Sequence, residues 1–229
     1  VNSARQRLPR LLDWLQQRQP DVVCLQETKL TDDVFSDLFT EPLAALGYRF
    51  AHHGSGGFNG VALLSRVGLD DVERNFAGQP AYRDVVEARA LSATCAGVRI
   101  HSLYVPNGRE VGSDHYQYKL AWFDALAAAI SGGPADVALC GDINVAPADI
   151  DVFDPAAYVG HTHVTAEERQ RVAALGLIDV VRAHWPGRER LFSYWDYRAG
   201  MFHQDLGMRI DLVLASQQVA NRVAAAWVD

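Results

Sequence analysis

The chain has 229 residues, of which 49% are hydrophobic and 21% are charged, so disordered and fibrous proteins are excluded. The balance of 21 Lys and Arg against 28 Asp and Glu gives a net charge of −7, which excludes recognition of a polyanion by bulk positive charge. No run approaches the roughly 20 apolar residues that cross a bilayer. The three cysteines show neither a disulfide framework nor a metal spacing. We therefore expect a cytoplasmic, monomeric, single-domain protein without membrane contact.

Apolar periodicity and turn residues predict alternating helices and strands along the chain. The first helix has Leu8, Leu11, Leu12 and Leu15 on one face and ends before Pro20, and a strand at Asp21–Leu25 follows it. The second helix begins at Thr31 and has Phe35, Leu38 and Phe39 on its inner face. A buried run at Val61–Leu64 and strands at 85–94 and 98–105 complete the first half. In the second half they are a helix at 114–131, a strand at Val137–Cys140, a capping box at Thr165–Glu168 with Gly176 closing its helix, and strands at Arg209–Ser216 and Val219–Val228.

The order of these elements indicates the fold class. Strand pairs adjacent in sequence interrupt a strict β-α-β alternation, which argues against Rossmann and TIM-barrel folds. A layered α/β sandwich with partly antiparallel sheets is expected instead.

Polar side chains fall at or near the ends of the predicted strands. Glu27 follows the first strand, Asp142 and Asn144 follow the strand that ends at Cys140, and Asp211 lies within a later one. Groups at strand ends can converge on one rim of a sheet, where rigid backbone holds them in place. The sequence thus favours a site built from these strand ends.

The chemistry of these residues suits phosphodiester hydrolysis. Alternation puts Asp142 and Asn144 on one face of an extended segment, where a carboxylate accepts a proton from water and an amide donates to a phosphoryl oxygen. Glu27 supplies the hard oxygen ligand that Mg²⁺ prefers. The alternative is that Asp-x-Asn is an ordinary turn and Glu27 a solvated residue.

Two further polar positions leave alternatives open. The corner Tyr104–Gly108 follows a strand and is either part of a site or an ordinary Pro-Asn-Gly turn. A carboxylate at Asp211 in an apolar run needs a partner. It either pairs with Arg209 or Arg198 as a structural ion pair, or orients a histidine for catalysis.

Six motifs occur in a fixed order: Gln26–Lys29, Asn59–Ser65, Tyr104–Gly108, Gly141–Asn144 with Pro147, Phe192–Arg198 and Arg209–Ser216. In this set the chain closely resembles bacterial exonuclease III, of the exonuclease–endonuclease–phosphatase superfamily that also holds the apurinic/apyrimidinic endonucleases. The resemblance runs nearly end to end. It implies a four-layer α/β sandwich with two mixed, largely antiparallel sheets packed face to face and helices outside.

The resemblance also implies an activity. It is that of a Mg²⁺-dependent DNA phosphodiesterase of base-excision repair, with Mn²⁺ as an alternative metal. The expected partner is double-stranded DNA. The enzyme would remove nucleotides from its 3′ ends and would cut it 5′ to abasic sites. Such an enzyme extrudes its target nucleotide from the duplex.

Site residues follow from the resemblance position by position. The implied metal ligands are Glu27, Asn2, Asp142 and Asn144. The implied catalytic residues are Tyr104 near the scissile phosphate, Asp142 at the water or leaving group, Asn144 at the transition state and Asp211 orienting a histidine. The implied DNA contacts are Asn107 at a phosphate, Lys29, Arg5, Arg66, Arg109 and Arg198 at the backbone, and Tyr194, Met208 and Ile210 in a pocket for the flipped abasic sugar. Plain core packing is the alternative for those last three.

The chain departs from the family pattern at its ends. Over residues 1–229 we expect one such domain without the family's first strand and without its C-terminal Ser-Asp-His segment. None of the eight histidines stands in a comparable context. If the 229 residues were the whole molecule, we would expect severely impaired catalysis. A DNA-binding pseudoenzyme therefore stays open as an alternative. Another branch of the superfamily, such as a deoxyribonuclease I-like nuclease or an inositol-phosphate or sphingolipid phosphatase, is a second alternative, against which the segments Tyr194–Arg198 and Arg209–Ser216 argue.

Overall fold

The computed structural model describes residues 1–196 and 200–228. The helices are α1 (Ala4–Arg18), α2 (Asp32–Ala45), α3 (Asp114–Ile130), α4 (Ala166–Ala174), α5 (Val180–His184) and α6 (Gln217–Ala220), with short 3-10 turns at Asp149–Asp151 and Pro155–Tyr158. The strands are β1 (Val22–Gln26), β2 (Arg49–His53), β3 (Val61–Ser65), β4 (Asp70–Arg74), β5 (Ala90–Cys95), β6 (Val98–Tyr104), β7 (Val137–Asp142), β8 (Ile178–Asp179) and β9 (Asp211–Ala215). In this part of the chain, no helix is both long and apolar enough to cross a membrane.

Side-chain caps set the starts of the predicted helices. Thr31 accepts a hydrogen bond from the amide of Val34 at the start of α2. At α4, Thr165 and Glu168 form the predicted capping box, and Gly176 follows the helix with a φ of 67°. Each such cap stabilises its helix by about 1 kcal/mol. The predicted helix starts are confirmed.

The strands form two sheets. One has three strands in the order β1-β3-β2, and the other has six in the order β4-β5-β6-β7-β9-β8. Every pairing is antiparallel except that of β6 with β7. The helix α3 lies between β6 and β7 and makes the crossover that a parallel pair requires.

Alternation along the strands builds four layers. In β1, Val23 and Leu25 pack under α1 and α2, whereas Val22 and Cys24 face the second sheet. The outer face of the six-stranded sheet is covered by α3, whose Trp122 is fully buried. The expected sandwich of two mixed, largely antiparallel sheets with helices outside is therefore confirmed.

Some predicted strands were wrong. The strand predicted for 85–94 begins only at Ala90, because the chain turns back at residues 82–85 and leaves Val85 and Val86 exposed. The strand predicted for 219–228 is absent. Ser216 caps the short helix α6 instead, and Val223 beyond it packs beside Ala215 without joining a ladder.

Two strands were not predicted from the sequence. All five residues of β4 are exposed, and its sequence Asp-Asp-Val-Glu-Arg has no apolar alternation. Its backbone pairing with β5 alone makes it a strand, and its charges suit an edge. The strand β2 was missed because only His52 in it is buried.

A cavity of about 540 Å³ lies on the outer face of the six-stranded sheet, beyond the C-terminal end of α3. Its lining includes Arg99 and His101. The guanidinium of Arg99 is bound by Glu73 and by Ser92. The side chain of His101 has no hydrogen-bond partner within the described residues.

The burial of His101 predicts a loss of stability in acid. Burial, and then the charge of Arg99, lower the pKa of His101 to about 4. Because the unfolded chain binds this proton near its ordinary pKa of about 6.5, the stability is fully present above that pH and is lost as the pH falls towards 4. His101→Gln should remove up to about 3 kcal/mol of this pH dependence. Urea unfolding at about pH 7.5 and about pH 4.5 measures it.

The control for this prediction is His203→Gln, because His203 is exposed. This variant should keep the wild-type pH dependence. The prediction would be contradicted if His101→Gln lost as much stability between about pH 7.5 and about pH 4.5 as the wild type does.

Candidate active site

Three neighbouring strands bring Tyr104, Asp142 and Asp211 into one row. In the ladder, Tyr104 at the end of β6 is the partner of Asp142 at the end of β7. Asp142 is in turn the partner of Asp211 at the start of β9. Residues paired across strands lie on the same face of a sheet, about 5 Å apart. The expected convergence of polar groups on one rim is thus present in the geometry.

Gly141 allows this row to form. It has a φ of 141°, and a Cβ there would lie 2.2 Å from the carbonyl oxygen of Leu103 and 2.9 Å from Nε2 of Gln26. Gln26 itself donates to the hydroxyl of Ser102 at 3.0 Å and so links the two sheets. Only glycine fits between these neighbours and places the following Asp142.

Gly141→Ala should therefore be strongly destabilising. The methyl group meets backbone of the neighbouring strand, so the sheet itself must move, and we expect a loss of about 3 kcal/mol or more in the free energy of unfolding. Gly132→Ala is the matched control, since a Cβ there meets nothing within 4 Å. Urea unfolding of both variants decides the matter, and equal stabilities would contradict the assigned role.

The surroundings of Asp142 and Asp211 disfavour the charged forms of both carboxyl groups. Burial, and then the charge of Asp211, raise the pKa of Asp142 well above its ordinary value. Partial desolvation at the rim also raises the pKa of Asp211, although this residue stays exposed to solvent. Two like charges opposite each other in a ladder repel. The pair is thus arranged to hold a proton or to face a cation.

Tyr104 is kept protonated. Burial raises the pKa of its phenol, and the carboxylates of Glu27 and Asp142 raise it further. Its hydroxyl contacts the carboxylate of Glu27, and the guanidinium of Arg89 lies 5.0 Å from the centre of its ring. The phenol is therefore a hydrogen-bond donor at the rim.

Glu27 lies where the chain leaves β1, with a φ of 58°. The ammonium of Lys29 lies 3.3 Å from its carboxylate and donates to Oδ1 of Asn2 at 2.6 Å. A positive group thus already bridges two of the predicted metal ligands. In the described part of the chain, no three His, Cys, Asp or Glu side chains are grouped so that they could hold a metal ion by themselves.

Asn144 corrects the prediction of an extended segment. It has a φ of 54°, so Asp142 and Asn144 do not alternate as in a strand. The backbone amide of Asn144 donates to Oδ1 of Asp142 at 3.0 Å, as in a turn. Its side chain is buried, donates to the carbonyl of Val105 and accepts a hydrogen bond from Asn107. The turn alternative is therefore present here, and it keeps Asn144 beside Asp142.

A buried ion pair supports this turn, and sequence reasoning missed it. Lys119 and Glu168 are both fully buried and form an ion pair. Lys119 also donates to the carbonyl of Asn144 at 2.7 Å, and Nδ1 of His163 contacts the same carbonyl at 2.6 Å. The available signal was the helical spacing of Tyr116, Lys119, Phe123 and Leu126, which places a lysine on the apolar face of α3.

The geometry excludes one partner proposed for Asp211. Arg209 is bound to Asp151 and Asp179 instead, and both Arg209 and Asp151 are fully buried. The hydroxyl of Ser193 contacts the carboxylate of Asp211 and accepts its backbone N–H at 3.0 Å. An ion pair between Arg209 and Asp211 was therefore a wrong alternative.

The three residues predicted to form a sugar pocket differ in exposure. Tyr194 is 37% exposed, whereas Met208 and Ile210 are each 2% exposed. The buried pair packs with Ala146 and Val152. Of the three, only Tyr194 is exposed enough to contact a ligand, and its backbone pairs with that of the buried Met208.

The predicted DNA contacts lie in different parts of the structure. Asn107 and Arg109 are exposed on the loop after β6, and Arg5 is exposed in the first turn of α1. Arg66 pairs with Asp21 at the other end of the three-stranded sheet. Arg198 lies outside the described residues.

Comparisons with known proteins agree with this geometry. Residues 1–229 match the Endonuclease/Exonuclease/phosphatase family. An exodeoxyribonuclease of Bacillus subtilis is 28% identical over the whole of this chain and 90% of its own length. The exodeoxyribonuclease III of Haemophilus influenzae is 30% identical over 97% of this chain and 87% of its own.

Solved structures give the same result. An AP endonuclease from Archaeoglobus fulgidus superposes with a TM-score of 0.92 at 33% identity, covering 100% of this chain and 89% of its own. A 3′ phosphatase from Neisseria, bound to a product DNA hairpin, has a TM-score of 0.90 at 34% identity over 96% of this chain and 86% of its own. The chain therefore belongs to the endonuclease/exonuclease/phosphatase family, in the branch of exodeoxyribonuclease III and the AP endonucleases.

Proposed function

We propose that the protein is a metal-dependent DNA phosphodiesterase of base-excision repair, of the exodeoxyribonuclease III type. It removes nucleotides from the 3′ ends of duplex DNA and cuts 5′ to abasic sites. The observation that carries this proposal is the row of Tyr104, Asp142 and Asp211 across three strands, with Asn144 beside it. The names of the relatives support the substrate.

Nucleases of this family generally depend on a metal ion. The donor set fits Mg²⁺, with Mn²⁺ as an alternative, because such ions take one or two carboxylates and keep several waters. Glu27, the amide oxygen of Asn2, Asp142 and Asn144 would hold the ion, and the first two are now bridged by the ammonium of Lys29. When bound, the ion would neutralise charge that develops on the phosphate.

Each residue of the row has a role in this proposal. The phenol of Tyr104 donates a hydrogen bond to the scissile phosphate. The carboxyl group of Asp142, with its raised pKa, takes a proton from the attacking water or gives one to the leaving oxygen. Asn144 accepts one N–H of the exposed Asn107 amide, and the other N–H, which now contacts Nε2 of His163, donates to a phosphate oxygen when DNA binds. We assign Asp211 the role of orienting an imidazole.

The remaining contacts belong to DNA binding. Tyr194 forms the open face of the pocket for a flipped sugar, and Met208, its backbone partner, packs with Ile210 in the core. Lys29, Arg5 and Arg109 contact the DNA backbone. The proposal also includes a monomer in the cytoplasm, without a membrane partner.

A cleavage assay tests the proposed reaction. A 5′-labelled duplex with one abasic site is incubated with the protein in Mg²⁺, in Mn²⁺ and in EDTA. We expect a cut 5′ to the abasic site, shortening of an intact duplex from its 3′ end, and loss of both reactions in EDTA. Binding without cleavage would indicate a pseudoenzyme. Hydrolysis of inositol-phosphate or sphingolipid head groups but not of DNA would indicate another branch of the superfamily.

A binding measurement tests the metal ligands separately from catalysis. Mn²⁺ binding, followed by electron paramagnetic resonance, should weaken about tenfold or more in Glu27→Gln. Glu41→Gln, an exposed residue of α2, should bind Mn²⁺ as the wild type does. Equal affinities of Glu27→Gln and the wild type would remove Glu27 from the proposed ligand set.

A further inference from the structure

Two arginines share one tyrosine ring beside the candidate active site. The guanidinium of Arg83 lies 5.4 Å from the centre of the Tyr82 ring, and that of Arg109 lies 5.7 Å from it. Tyr82 is half-buried against His115 and Tyr118, whereas both arginines are exposed. We call Tyr82, Arg83 and Arg109 the Arg–Tyr–Arg cluster.

The backbone that presents Arg83 is strained. Tyr82 and Val85 exchange two backbone hydrogen bonds, at 2.8 and 3.1 Å, and so close a two-residue hairpin. The central residues Arg83 and Asp84 have φ values of 50° and 64°. A hairpin tip with two positive φ values favours Asn-Gly, because a larger side chain costs energy there. A large side chain at such a strained position is a reason to look for a role of that side chain.

Two contacts join this hairpin to the candidate active site. Beyond Val85 the chain runs through Glu87, which binds Arg89, and the Arg89 guanidinium lies over the ring of Tyr104. On the other side, the backbone amide of Arg109 donates to Oδ1 of Asn107 at 3.0 Å. The cluster therefore lies on the rim of the site rather than at a distant surface.

The two arginines of the cluster differ from many other arginines of this protein in their partners. The net charge is −7, and many arginines are bound to acids, as Arg99 is to Glu73. Within the described residues, neither Arg83 nor Arg109 forms an ion pair with an acid. These are two exposed positive charges, held by an aromatic ring, next to a site rich in carboxylates. Arginine binds phosphate oxygens with two parallel N–H groups, which suits a DNA backbone.

We propose that the Arg–Tyr–Arg cluster is a clamp that binds two backbone phosphates of the DNA strand beside the scissile phosphate. It reads no base. The stacked ring of Tyr82 holds both guanidinium groups in place, so less side-chain freedom is lost when DNA binds. This inference rests on the proposed function, because it requires a DNA substrate, and it extends the predicted contact of Arg109 to Tyr82 and Arg83.

The salt dependence of DNA binding tests the clamp. Affinity for a fluorescent duplex with a stable abasic analogue is measured by anisotropy in EDTA, over a series of salt concentrations. Each phosphate contact contributes about 0.9 to the slope of log affinity against log salt. We expect Arg83→Ala to reduce the magnitude of this slope by about 0.9. The double variant Arg83→Ala with Arg109→Ala should reduce the magnitude by about 1.8.

Two variants separate the clamp from effects on folding. Arg83→Asn with Asp84→Gly gives the hairpin its preferred residues, so the thermal midpoint should be unchanged or raised while the slope falls. Arg49→Ala removes an exposed arginine at the other end of the three-stranded sheet and should leave the slope unchanged.

The outcomes are distinct. A wild-type slope in the Arg83 variants, when the wild type binds DNA, overturns the clamp and leaves the proposed function standing. Weaker binding with an unchanged slope also overturns it, because the lost contact was then not to a phosphate. If the wild-type protein does not bind the duplex at all, both the clamp and the proposed function fail.

Discussion

Asp142→Asn is expected to lower the rate of DNA cleavage roughly a thousandfold or more, because Asp142 acts within a set of groups that work together. The same change should leave the free energy of unfolding equal to or slightly above that of the wild type. Burial and the opposing Asp211 disfavour the charged form of Asp142, and asparagine carries no charge. Its amide oxygen can still accept the backbone hydrogen bond from Asn144.

Gel-based cleavage and urea unfolding of the same protein samples measure the two effects together. Asp37→Asn, on the exposed side of α2, is the matched control and should change neither. If Asp142→Asn retained activity, its role as the group that moves the proton would be refuted. If it unfolded the protein, the loss of activity would say nothing about chemistry, and the expected separation of function from stability would be wrong.

Glu168→Gln should have the largest effect on stability. Lys119 and Glu168 are both fully buried, so removing one charge leaves the other without a partner in the interior. Breaking a buried pair in this way costs about 3–5 kcal/mol, a large share of the total for a domain. The carboxylate also accepts hydrogen bonds from the hydroxyl of Thr162 and the backbone N–H of His163, and the substitution would weaken both bonds.

Urea unfolding checks this prediction, with Asp124→Asn as the control. Asp124 pairs with Arg171 at the surface, where its side chain is 60% exposed, and such pairs contribute about 1 kcal/mol or less. A loss in Glu168→Gln no larger than that in Asp124→Asn would contradict the account. Because Lys119 holds the carbonyl of Asn144, the variant should also cleave DNA more slowly under conditions where it stays folded.

The fold class and the rim of the site could be predicted because both follow from local patterns. Buried apolar runs such as Val61–Leu64 mark the strands, and polar residues such as Glu27 and Asp142 mark where strands end. Strand order then places those ends together. The strand predicted for residues 219–228 was wrong, because Val219 and Val223 pack against a core and such packing does not require a ladder.

The remainder depends on contacts between residues far apart in the chain or on single dihedral angles. Lys119 and Glu168 are 49 residues apart, and no local pattern pairs them. Arg209 likewise binds Asp151 and Asp179, which are distant in sequence, and not its near neighbour Asp211. The positive φ of Asn144 changed an expected strand into a turn, and a sequence pattern does not give the sign of one angle.

A structure of Asp142→Asn bound to abasic-site duplex DNA and Mn²⁺ tests the central claim most directly, since anomalous scattering locates the metal and the variant should not cleave. The account predicts the phosphate 5′ to the abasic site within hydrogen-bonding distance of Tyr104 and Asn107, with Mn²⁺ at Glu27. A scissile phosphate bound elsewhere, such as in the cavity beside Arg99 and His101, would contradict it.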